Sequence, residues 1–370
     1  MKRKMIVAVA AAVLLALAAP AHAQDVDVGE WINLFDGETL FGWESLGSDN
    51  NWQAQNGSLT CTAGAGGALM TTTEFKDFEL QLRVKVSRPG TVGIAVRSPL
   101  DGHPSETGAG MIVLGGKEGN ADWQNVRVTA RGADVTATVD EKVVEDFKAT
   151  TELGHIGILY HEYHGLDGQA AVEVADVKLR PLTLKPIFNG QTLDGWNIIP
   201  GHKSEFKVLD GAINITNGNG QIETDGLYKN FLLQLEIISN GEHLNSGVFF
   251  RGPKSVFWKG YESQVRNQWQ GEDRTKPVDF GTGGIYGVQL SRKVVSSDKE
   301  WFTKTVVANG NHFSVWINGY QVADLLDTRP VSNEGDGKNG YVPEAGTIHL
   351  QGHDPTTNLS FRKIHLQSYP

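Results

Sequence analysis

The sequence LFDGETLFGW at residues 34–43 returns as IFNGQTLDGW at residues 187–196. Further blocks match at nearly the same offset: residues 75–82 with 228–235, and residues 93–97 with 247–251. Chance does not hold one offset over so many blocks, so we interpret the chain as two copies of one folding unit. The length of 370 residues also suits two domains better than one.

We predict that the two copies form domains over residues 30–181 and 184–370. The boundary falls at residues 180–186, where Pro181 and Pro186 would interrupt a strand ladder and suit a linker. Each copy alternates short runs of β-branched and aromatic residues with turn residues, and neither shows a convincing helix. The 44 glycines fit short connections between strands. These features predict an all-β chain of two tandem β-sandwiches.

The sequence Asn318-Gly319, between Ile317 and Tyr320, predicts a β-hairpin. A type I′ turn needs positive φ at both of its central residues, and this pair tolerates it. We therefore expect two adjacent antiparallel strands here.

Residues 1–23 read as an export signal. Lys2-Arg3-Lys4 is the basic start, residues 5–18 are apolar, and Ala21-His22-Ala23 resembles a cleavage site. We expect a mature chain from Gln24, located in the periplasm or outside the cell. The apolar run is short for a membrane span, and no later run is long enough. An uncleaved anchor is the alternative.

The formal net charge is −10, and it becomes −13 once Lys2, Arg3 and Lys4 are removed with the signal. Nucleic acids and anionic membranes need a basic surface, so the charge argues against both as partners. Cys61 is the single cysteine of the sequence, so no disulfide within the chain stabilises the fold. Stability has to come from packed apolar cores.

Three segments of the second copy place polar residues two positions apart, as on one face of a β-strand. They are Glu262 and Gln264 within residues 259–266, Arg251 at the end of residues 246–251, and His349, Gln351 and His353 within residues 349–353. We interpret these segments as converging on one sheet face that carries the functional site.

These blocks resemble the 3-keto-disaccharide hydrolase domain family, a group of exported concanavalin-A-like β-sandwiches. The second copy carries the resemblance through residues 187–190, 195–196, 246–251, 260–264, 282–287, 348–353 and 361–364. The resemblance implies two concanavalin-A-like (jelly-roll) domains. It also implies cleavage of glycosides that are already oxidised to a ketone at C3 of the sugar.

Three features depart from the family pattern. Arg266 and Asn267 follow the Glu-x-Gln segment where the family often has an acidic residue, and Asp354 follows His353 where the family usually has glycine. The family's Gly-Glu-Trp-Asn segment appears as residues 299–304. These departures leave metal binding and the substrate range open.

A ketone at C3 acidifies the proton on C2, so a base can remove it and form an enolate. The C1 substituent then leaves by elimination, and water can add back. This chemistry needs one base, one group that stabilises the enolate oxygen, and one acid for the leaving group. It differs from glycoside hydrolysis by two carboxylates that flank the bond.

Four residues of the second copy are the predicted catalytic groups. Glu262 is the candidate base, with an ordinary sheet carboxylate as the alternative. His353 is the candidate general acid or base, because a histidine pKa near ~6.5 allows both roles; a structural histidine is the alternative. Arg251 would clamp a hydroxyl or the enolate oxygen, or else bridge strands. Tyr286 would donate to developing negative charge, or else lie in the core.

The predicted substrate-binding residues are Gln264 and Gln351, as readers of sugar hydroxyls, and Trp258 and Trp269, as rings that stack on a sugar. Exposed aromatic residues that merely cover loops are the alternative for the tryptophans. Glu262, His349 and His353 also offer oxygen and nitrogen donors for a divalent cation. No tight zinc-type ligand spacing occurs, so no cofactor is assigned and a divalent metal stays open.

The first copy departs further from the family. Residues 110–114 correspond to the Glu-x-Gln segment, and Ile112 and Leu114 are expected at the places of Glu262 and Gln264. Arg97 and His161 correspond to Arg251 and His353. We therefore predict a non-catalytic first domain that holds glycan or shields one side of the cleft.

The main hypothesis is an exported hydrolase or lyase that acts on a 3-keto-glycoside. The first alternative is a carbohydrate-binding protein with two lectin-like sandwiches and no catalysis. The second alternative is a surface protein that uses its sandwiches for protein contacts. An oligosaccharide or a 3-keto-glycoside is the expected partner of the first two.

Overall fold

The computed structural model describes residues 28–47, 51–61, 67–87, 89–101, 106–116, 120–162 and 172–370. The expected export signal at residues 1–23 lies outside these ranges. Across them, the chain contains no helix with the length and apolar character needed to cross a membrane.

The first domain is built from short strands. They are β1 (Ile32–Asn33), β2 (Trp43–Leu46), β3 (Trp52–Gln55), β4 (Ser58–Cys61), β5 (Gly67–Phe75), β6 (Phe78–Val86), β7 (Gly90–Ser98), β8 (Gly110–Gly116), β9 (Asn120–Arg131), β10 (Asp134–Val139), β11 (Lys142–Val143), β12 (Gly154–Glu162) and β13 (Val172–Pro181).

The second domain repeats the pattern. Its strands are β14 (Lys185–Pro186), β15 (Trp196–Ile198), β16 (Glu205–Leu209), β17 (Ala212–Thr216), β18 (Gly220–Thr224), β19 (Phe231–Ser239), β20 (Ser246–Gly252), β21 (Tyr261–Val265), β22 (Phe302–Asn309), β23 (His312–Ile317), β24 (Tyr320–Leu326), β25 (Thr347–Gly352) and β26 (Asn358–Ser368).

Each domain contains one eight-stranded and one five-stranded sheet. In the first domain the orders are β11-β10-β9-β6-β13-β4-β3, with β1 beside β13, and β2-β5-β12-β7-β8. In the second domain they are β16-β17-β26-β19-β22-β23-β24, with β14 beside β26, and β15-β18-β25-β20-β21. The prediction of an all-β chain with two tandem β-sandwiches is confirmed.

Alternation of apolar and polar residues builds the sandwich core. In β6 the side chains of Phe78, Leu80, Leu82 and Val84 are buried, and the residues that alternate with them are only partly covered. Burying an aliphatic or aromatic side chain of this size contributes about 2 kcal/mol. The equivalent strand β19 is covered on both faces over most of its length. The reason is that the first domain packs on it, and Leu232 joins the apolar core of that domain.

The first domain contacts the eight-stranded sheet of the second. The Thr73 and Ser314 hydroxyls are 2.7 Å apart, and the rings of Phe75 and Trp316 lie 6.2 Å apart. Trp316 Nε1 donates to the carbonyl oxygen of Asn33 at 3.1 Å. These contacts lie behind the five-stranded sheet, so they do not shield its outer face.

Two local expectations can be checked. Asn318 and Gly319 have φ of +49° and +79°, and Ile317 pairs with Tyr320, so the predicted hairpin is confirmed. The expectation that two prolines interrupt the ladder is wrong. Pro181 ends β13 opposite Phe78, and Pro186 ends β14 opposite His365. Strand ends accept proline because few ladder bonds depend on its missing N–H there.

Candidate functional site

A row of residues crosses the outer face of the five-stranded sheet of the second domain. Glu262 on β21 pairs with Phe249 on β20, Phe249 pairs with His349 on β25, and His349 pairs with Glu223 on β18. Neighbouring strands are about 4.8 Å apart, so the backbones at Glu262 and His349 are separated by about 10 Å. The row brings together the predicted residues Glu262 and His349, and it also contains Glu223, which was not predicted from the sequence.

A second polar row lies two residues further along the same strands. Gln264 pairs with Gly247, and Gln351 pairs with Gln221. The intervening residues, including Val248 and Leu350, lie in the apolar core. The two rows therefore face away from the core and form one polar surface, which we call the polar face.

Glu262 lies almost entirely out of water, with 5% of its surface exposed. Its carboxyl group lies over Gly247, because a Cβ added to that glycine would collide with Glu262 Oε1. Burial raises the pKa of Glu262 to about 8; a side-chain hydrogen bond with Trp258 and the charges of Lys338 and Lys304 oppose that rise. A carboxyl group with this pKa can donate a proton near neutral pH and is a strong base once ionised.

Three groups from the loops surround this carboxyl group. The negative charge of Asp279 adds to the raised pKa of Glu262, and Lys338 acts in the opposite direction. The backbone N–H of Tyr286 donates to the carbonyl oxygen of Glu262 at 2.9 Å. Burial, with the charges of Asp279 and Glu262, raises the pKa of the Tyr286 phenol. The site thus combines a proton carrier with a phenol, an ammonium group and a second carboxylate.

Asp279 is fixed by amide donors from the sheet. Its Oδ2 accepts from Asn245 Nδ2 at 2.8 Å and from Gln264 Nε2 at 3.2 Å. Lys338 Nζ lies 3.8 Å from the centre of the Trp258 ring and 5.7 Å from that of Tyr286. The ammonium group therefore sits over two aromatic faces, where it is attracted by the ring electrons.

Residues 253–259, which we call the Trp258 loop, connect β20 to β21 and pass over β18. The backbone N–H of Ser255 donates to both carboxylate oxygens of Glu223 at 3.0 Å. The backbone N–H of Trp258 donates to Gln221 Oε1 at 2.7 Å. The loop thereby places Trp258, which is 41% exposed, beside Glu262.

His349 is buried under this loop and uses both ring nitrogens. Its Nδ1 lies 3.2 Å from Gln221 Oε1, and its Nε2 lies 2.5 Å from the Thr347 hydroxyl. That hydroxyl also lies 3.0 Å from Glu223 Oε2. Burial lowers the pKa of His349 to about 4, so the ring is neutral at physiological pH. A neutral ring bonded on both sides braces the site rather than exchanging protons with a substrate.

Arg251 lies away from the polar face. Its guanidinium donates to the carbonyl oxygens of Lys229, Val342 and Gly310 at 3.0, 2.9 and 2.7 Å. The residue is 1% exposed and has a φ of +56°, at a break in the β20–β25 register. The expected role as a substrate clamp therefore gives way to the alternative of an arginine that bridges the chain. Arg97 bonds in the same way, to the Lys76 and Gly132 carbonyls, in the first domain.

Two other predicted residues lie at the periphery. His353 follows the last residue of β25, its side chain is 41% exposed, and its Nδ1 lies 3.0 Å from Asp354 Oδ2. Trp269 lies between β21 and β22, with the Arg274 guanidinium 4.1 Å above its ring. The structure therefore places Trp258, rather than Trp269, against Glu262.

The predicted metal ligands do not form a coordination group. Throughout the ranges that the structure describes, no three or more His, Cys, Asp or Glu side chains are arranged to hold a metal ion. His349 is bonded to Gln221 and Thr347, and His353 to Asp354. Glu262, His349 and His353 therefore do not fit a shared cation.

A comparison with known protein families finds one family model in both halves of the chain. Residues 30–180 and 183–367 both match the model of the 3-keto-alpha-glucoside-1,2-lyase-like domain. The chain belongs to this family. The expected resemblance is thereby confirmed, and each sandwich is one copy of the family domain.

The individual proteins that match this chain share little of its sequence. A curated 3-keto-disaccharide hydrolase of Bacteroides thetaiotaomicron is 35% identical over 80 residues, which are 19% of this chain and 28% of the relative. The match therefore spans under a third of that relative.

Solved structures also resemble single copies. A Parabacteroides distasonis protein provisionally named a glycosyl hydrolase is 22% identical, with a TM-score of 0.41 over 50% of this chain and 99% of that one. A carbohydrate binding module of Bacillus subtilis is 15% identical, with a TM-score of 0.33 over 47% of this chain and 96% of that one.

The first copy of the family domain has apolar residues or glycine along the equivalent rows. The rows there run Met111, Ala95, Gly157, Met70 and Val113, Gly93, Leu159, Ala68. The places of Glu262 and Gln264 are thus taken by Met111 and Val113. The expectation of Ile112 and Leu114 was wrong by one residue, and both of these side chains face the core. A shift of one residue moves a side chain to the other face of a sheet.

Four residues of the site escaped the sequence reading: Gln221, Glu223, Asp279 and Lys338. A signal for the first two was present, since Gln221-Ile222-Glu223 alternates like Glu262-Ser263-Gln264. Asp279 and Lys338 come from connecting segments without a strand period, so alternation could not indicate them.

Proposed function

We propose that this chain is an exported enzyme that cleaves 3-keto-glycosides, and that its second domain is catalytic. The observation that carries the proposal is the internal comparison of the two domains. One backbone arrangement holds Glu262, Gln264, Glu223 and His349 in the second domain, where the first has Met111, Val113, Met70 and Gly157. Burying polar groups costs free energy. The fold does not require these groups, so we assign them to function.

Family membership supports the choice of reaction. The family model is that of a 3-keto-alpha-glucoside-1,2-lyase-like domain, and the curated relative is named a 3-keto-disaccharide hydrolase. The start of the sequence, Lys2-Arg3-Lys4 with an apolar run and Ala21-His22-Ala23, supports export to the periplasm or beyond.

In the proposed reaction, ionised Glu262 removes the proton from C2 of the 3-keto sugar. The C–H electron pair forms the C2–C3 double bond, and negative charge develops on the C3 oxygen. The enolate then re-forms the ketone, a C1–C2 double bond appears, and the C1–O bond breaks. The departing oxygen takes a proton, and water adds across the new double bond to complete hydrolysis. A base with a pKa of about 8 suits this step better than an ordinary glutamate.

The surrounding groups have separate roles in this proposal. The Lys338 ammonium and the Tyr286 phenol stabilise the enolate oxygen, because both lie near Glu262 and carry protons. Gln264 and Gln351 bind sugar hydroxyls along the polar face. Trp258 offers a partly exposed ring for the sugar. His353 lies at the rim, where it protonates the leaving group or binds an outer hydroxyl.

Product analysis tests the proposal. The wild-type chain should release the free 3-keto sugar from a 3-keto disaccharide, while Glu262→Gln should release none above background. Met111→Leu is the matched control, since Met111 occupies the same place in the first domain, and it should retain full activity. A parallel reaction with chelator reports whether a divalent cation takes part. Absence of product with the wild type, or equal release by Glu262→Gln, would reject the proposal.

A second candidate function concerns the first domain. An open groove of about 650 Å³ runs over the outer face of its eight-stranded sheet, a size that suits a small ligand. Its lining includes the cations Arg83, Arg127 and Lys178, and the anions Asp140, Glu141 and Asp176. In the second domain the equivalent face is covered by Glu30, whose N–H donates to Gln234 Oε1 at 2.6 Å.

We propose that this groove holds a neutral oligosaccharide, since its cations and anions balance and its amides Gln81 and Asn125 suit hydroxyl groups. Calorimetric titration of the Glu262→Gln protein with oligosaccharides should show binding that Arg127→Ala combined with Asn125→Ala removes. Binding unaffected by that pair of substitutions would place the glycan elsewhere.

A further inference from the structure

The Trp258 loop is attached to the sheet by two side chains that stand two residues apart on β18. We propose that Glu223 and Gln221 are positioning residues, which hold this loop so that the Trp258 side chain stays beside Glu262. They touch no substrate, and they act on the reaction through Trp258. The inference rests on the proposed function of Glu262.

Glu223 is buried beneath the Trp258 loop. The residue is 1% exposed, yet its carboxylate accepts from the Ser255 backbone N–H rather than from lysine or arginine, with the Thr347 hydroxyl at 3.0 Å and His349 Nε2 at 3.5 Å. Burying a carboxylate raises the free energy of the folded protein unless its hydrogen bonds compensate for the lost hydration. The fold accepts Met70 at the same place in the first domain. The carboxylate is therefore explained by the loop it holds rather than by the sandwich.

The Trp258 loop has an unfavourable backbone conformation at two residues. Ser255 and Trp258 have φ of +63° and +58°, a region that residues with a side chain rarely adopt. Both are also the residues whose backbone N–H groups are bound by Glu223 and Gln221. The two anchors thus hold the loop at the two places where its backbone is least favourable.

The neighbours of Gln221 fix the orientation of its side-chain amide. Its Oε1 accepts from the Trp258 backbone and faces His349 Nδ1, while its buried Nε2 has no hydrogen-bond partner among the residues that the structure describes. A turned amide would place a donor against the Trp258 N–H and lose that bond. His349 contacts Gln221 on one side and Thr347 on the other, so it braces both anchors.

A double-mutant cycle tests the assignment. Glu223→Met copies the first domain and should fold, whereas Trp258→Phe keeps an aromatic ring and removes the indole N–H. Each should lower kcat on a 3-keto-glucoside roughly tenfold, because each removes the indole N–H from its place beside Glu262. Because both changes remove the same contact, the double variant should be no slower than the slower single variant. Glu223→Gln keeps an acceptor for Ser255 and should be intermediate.

Hydrogen exchange gives a readout that needs no activity. Amides of residues 254–259 should exchange at least tenfold faster in Glu223→Met than in the wild type, and at the wild-type rate in the control Met70→Leu. Unchanged exchange in Glu223→Met, or kcat losses that multiply in the double variant, would overturn the assignment. Faster exchange in a protein whose wild type has no activity would support the anchoring and reject only the proposed function.

Discussion

Replacement of Glu262 by glutamine should abolish turnover and at the same time stabilise the protein at high pH. The raised pKa of Glu262 means that the folded protein binds this proton more tightly than the unfolded chain. As the pH rises, the unfolded chain loses the proton first, so stability falls between pH 4.5 and about 8 and is level outside that window. Glutamine does not titrate, so the stability of Glu262→Gln should not fall over this pH range for this reason.

The size of the effect follows from the two pKa values. A rise from 4.5 to about 8 corresponds to about 5 kcal/mol of lost stability above pH 8, at about 1.4 kcal/mol for each pH unit. The figure is an upper value, because local opening of the Trp258 loop would let water reach the carboxylate. Near pH 4.5 the carboxyl group is protonated in the folded protein, so the variant and the wild type should be nearly equal.

Chemical unfolding at pH 4.5 and pH 9 measures this difference. Glu262→Gln should be more stable than the wild type by several kcal/mol at pH 9, with little difference at pH 4.5, and its turnover should fall at least 100-fold. The control Glu300→Gln changes an exposed carboxylate of the same domain and should show no such pH dependence. A stability difference that is the same at both pH values would refute the burial of Glu262 as the cause.

Three further substitutions separate the roles of the predicted residues. Arg251→Leu should lower the free energy of unfolding by about 3 kcal/mol or more, because three carbonyl groups lose a buried charged donor; unchanged unfolding would contradict the bridging role. Tyr286→Phe should lower kcat about 100-fold if its phenol stabilises the enolate, and near-normal kcat would remove it from the mechanism. His353→Ala should raise KM several-fold with little change in kcat if it binds an outer hydroxyl at the rim, whereas loss of kcat would make it the general acid.

The fold could be predicted from the sequence because two features depend directly on it. The internal repeat reflects the two domains, and the alternation of apolar and polar residues reflects strands with one face in a core. The alternation of apolar and polar residues did not predict which sheet face a side chain lies on where both sets of alternate residues are apolar. Gly110–Gly116 has apolar residues at both parities, so Ile112 and Met111 could not be assigned to their faces from pattern alone. It failed again at Arg251, because a positive φ and a register break turn that side chain away from the polar face.

Within the candidate site, Glu262 and Gln264 could be predicted because their strand is regular and their apolar neighbours face the core. Asp279 and Lys338 could not, since their places depend on how residues 266–301 and 327–346 fold over the sheet. The burial of His349 also could not be predicted from the sequence, because the Trp258 loop that covers it comes from a distant part of the chain.

Proton exchange at C2 of a 3-keto-glucoside, followed by NMR in D₂O, tests the central claim most directly. The wild-type protein should give a released 3-keto sugar that carries deuterium at C2, and Glu262→Gln should give neither deuterium nor release. Release of a product that keeps its original C2 proton would contradict proton abstraction by the second domain.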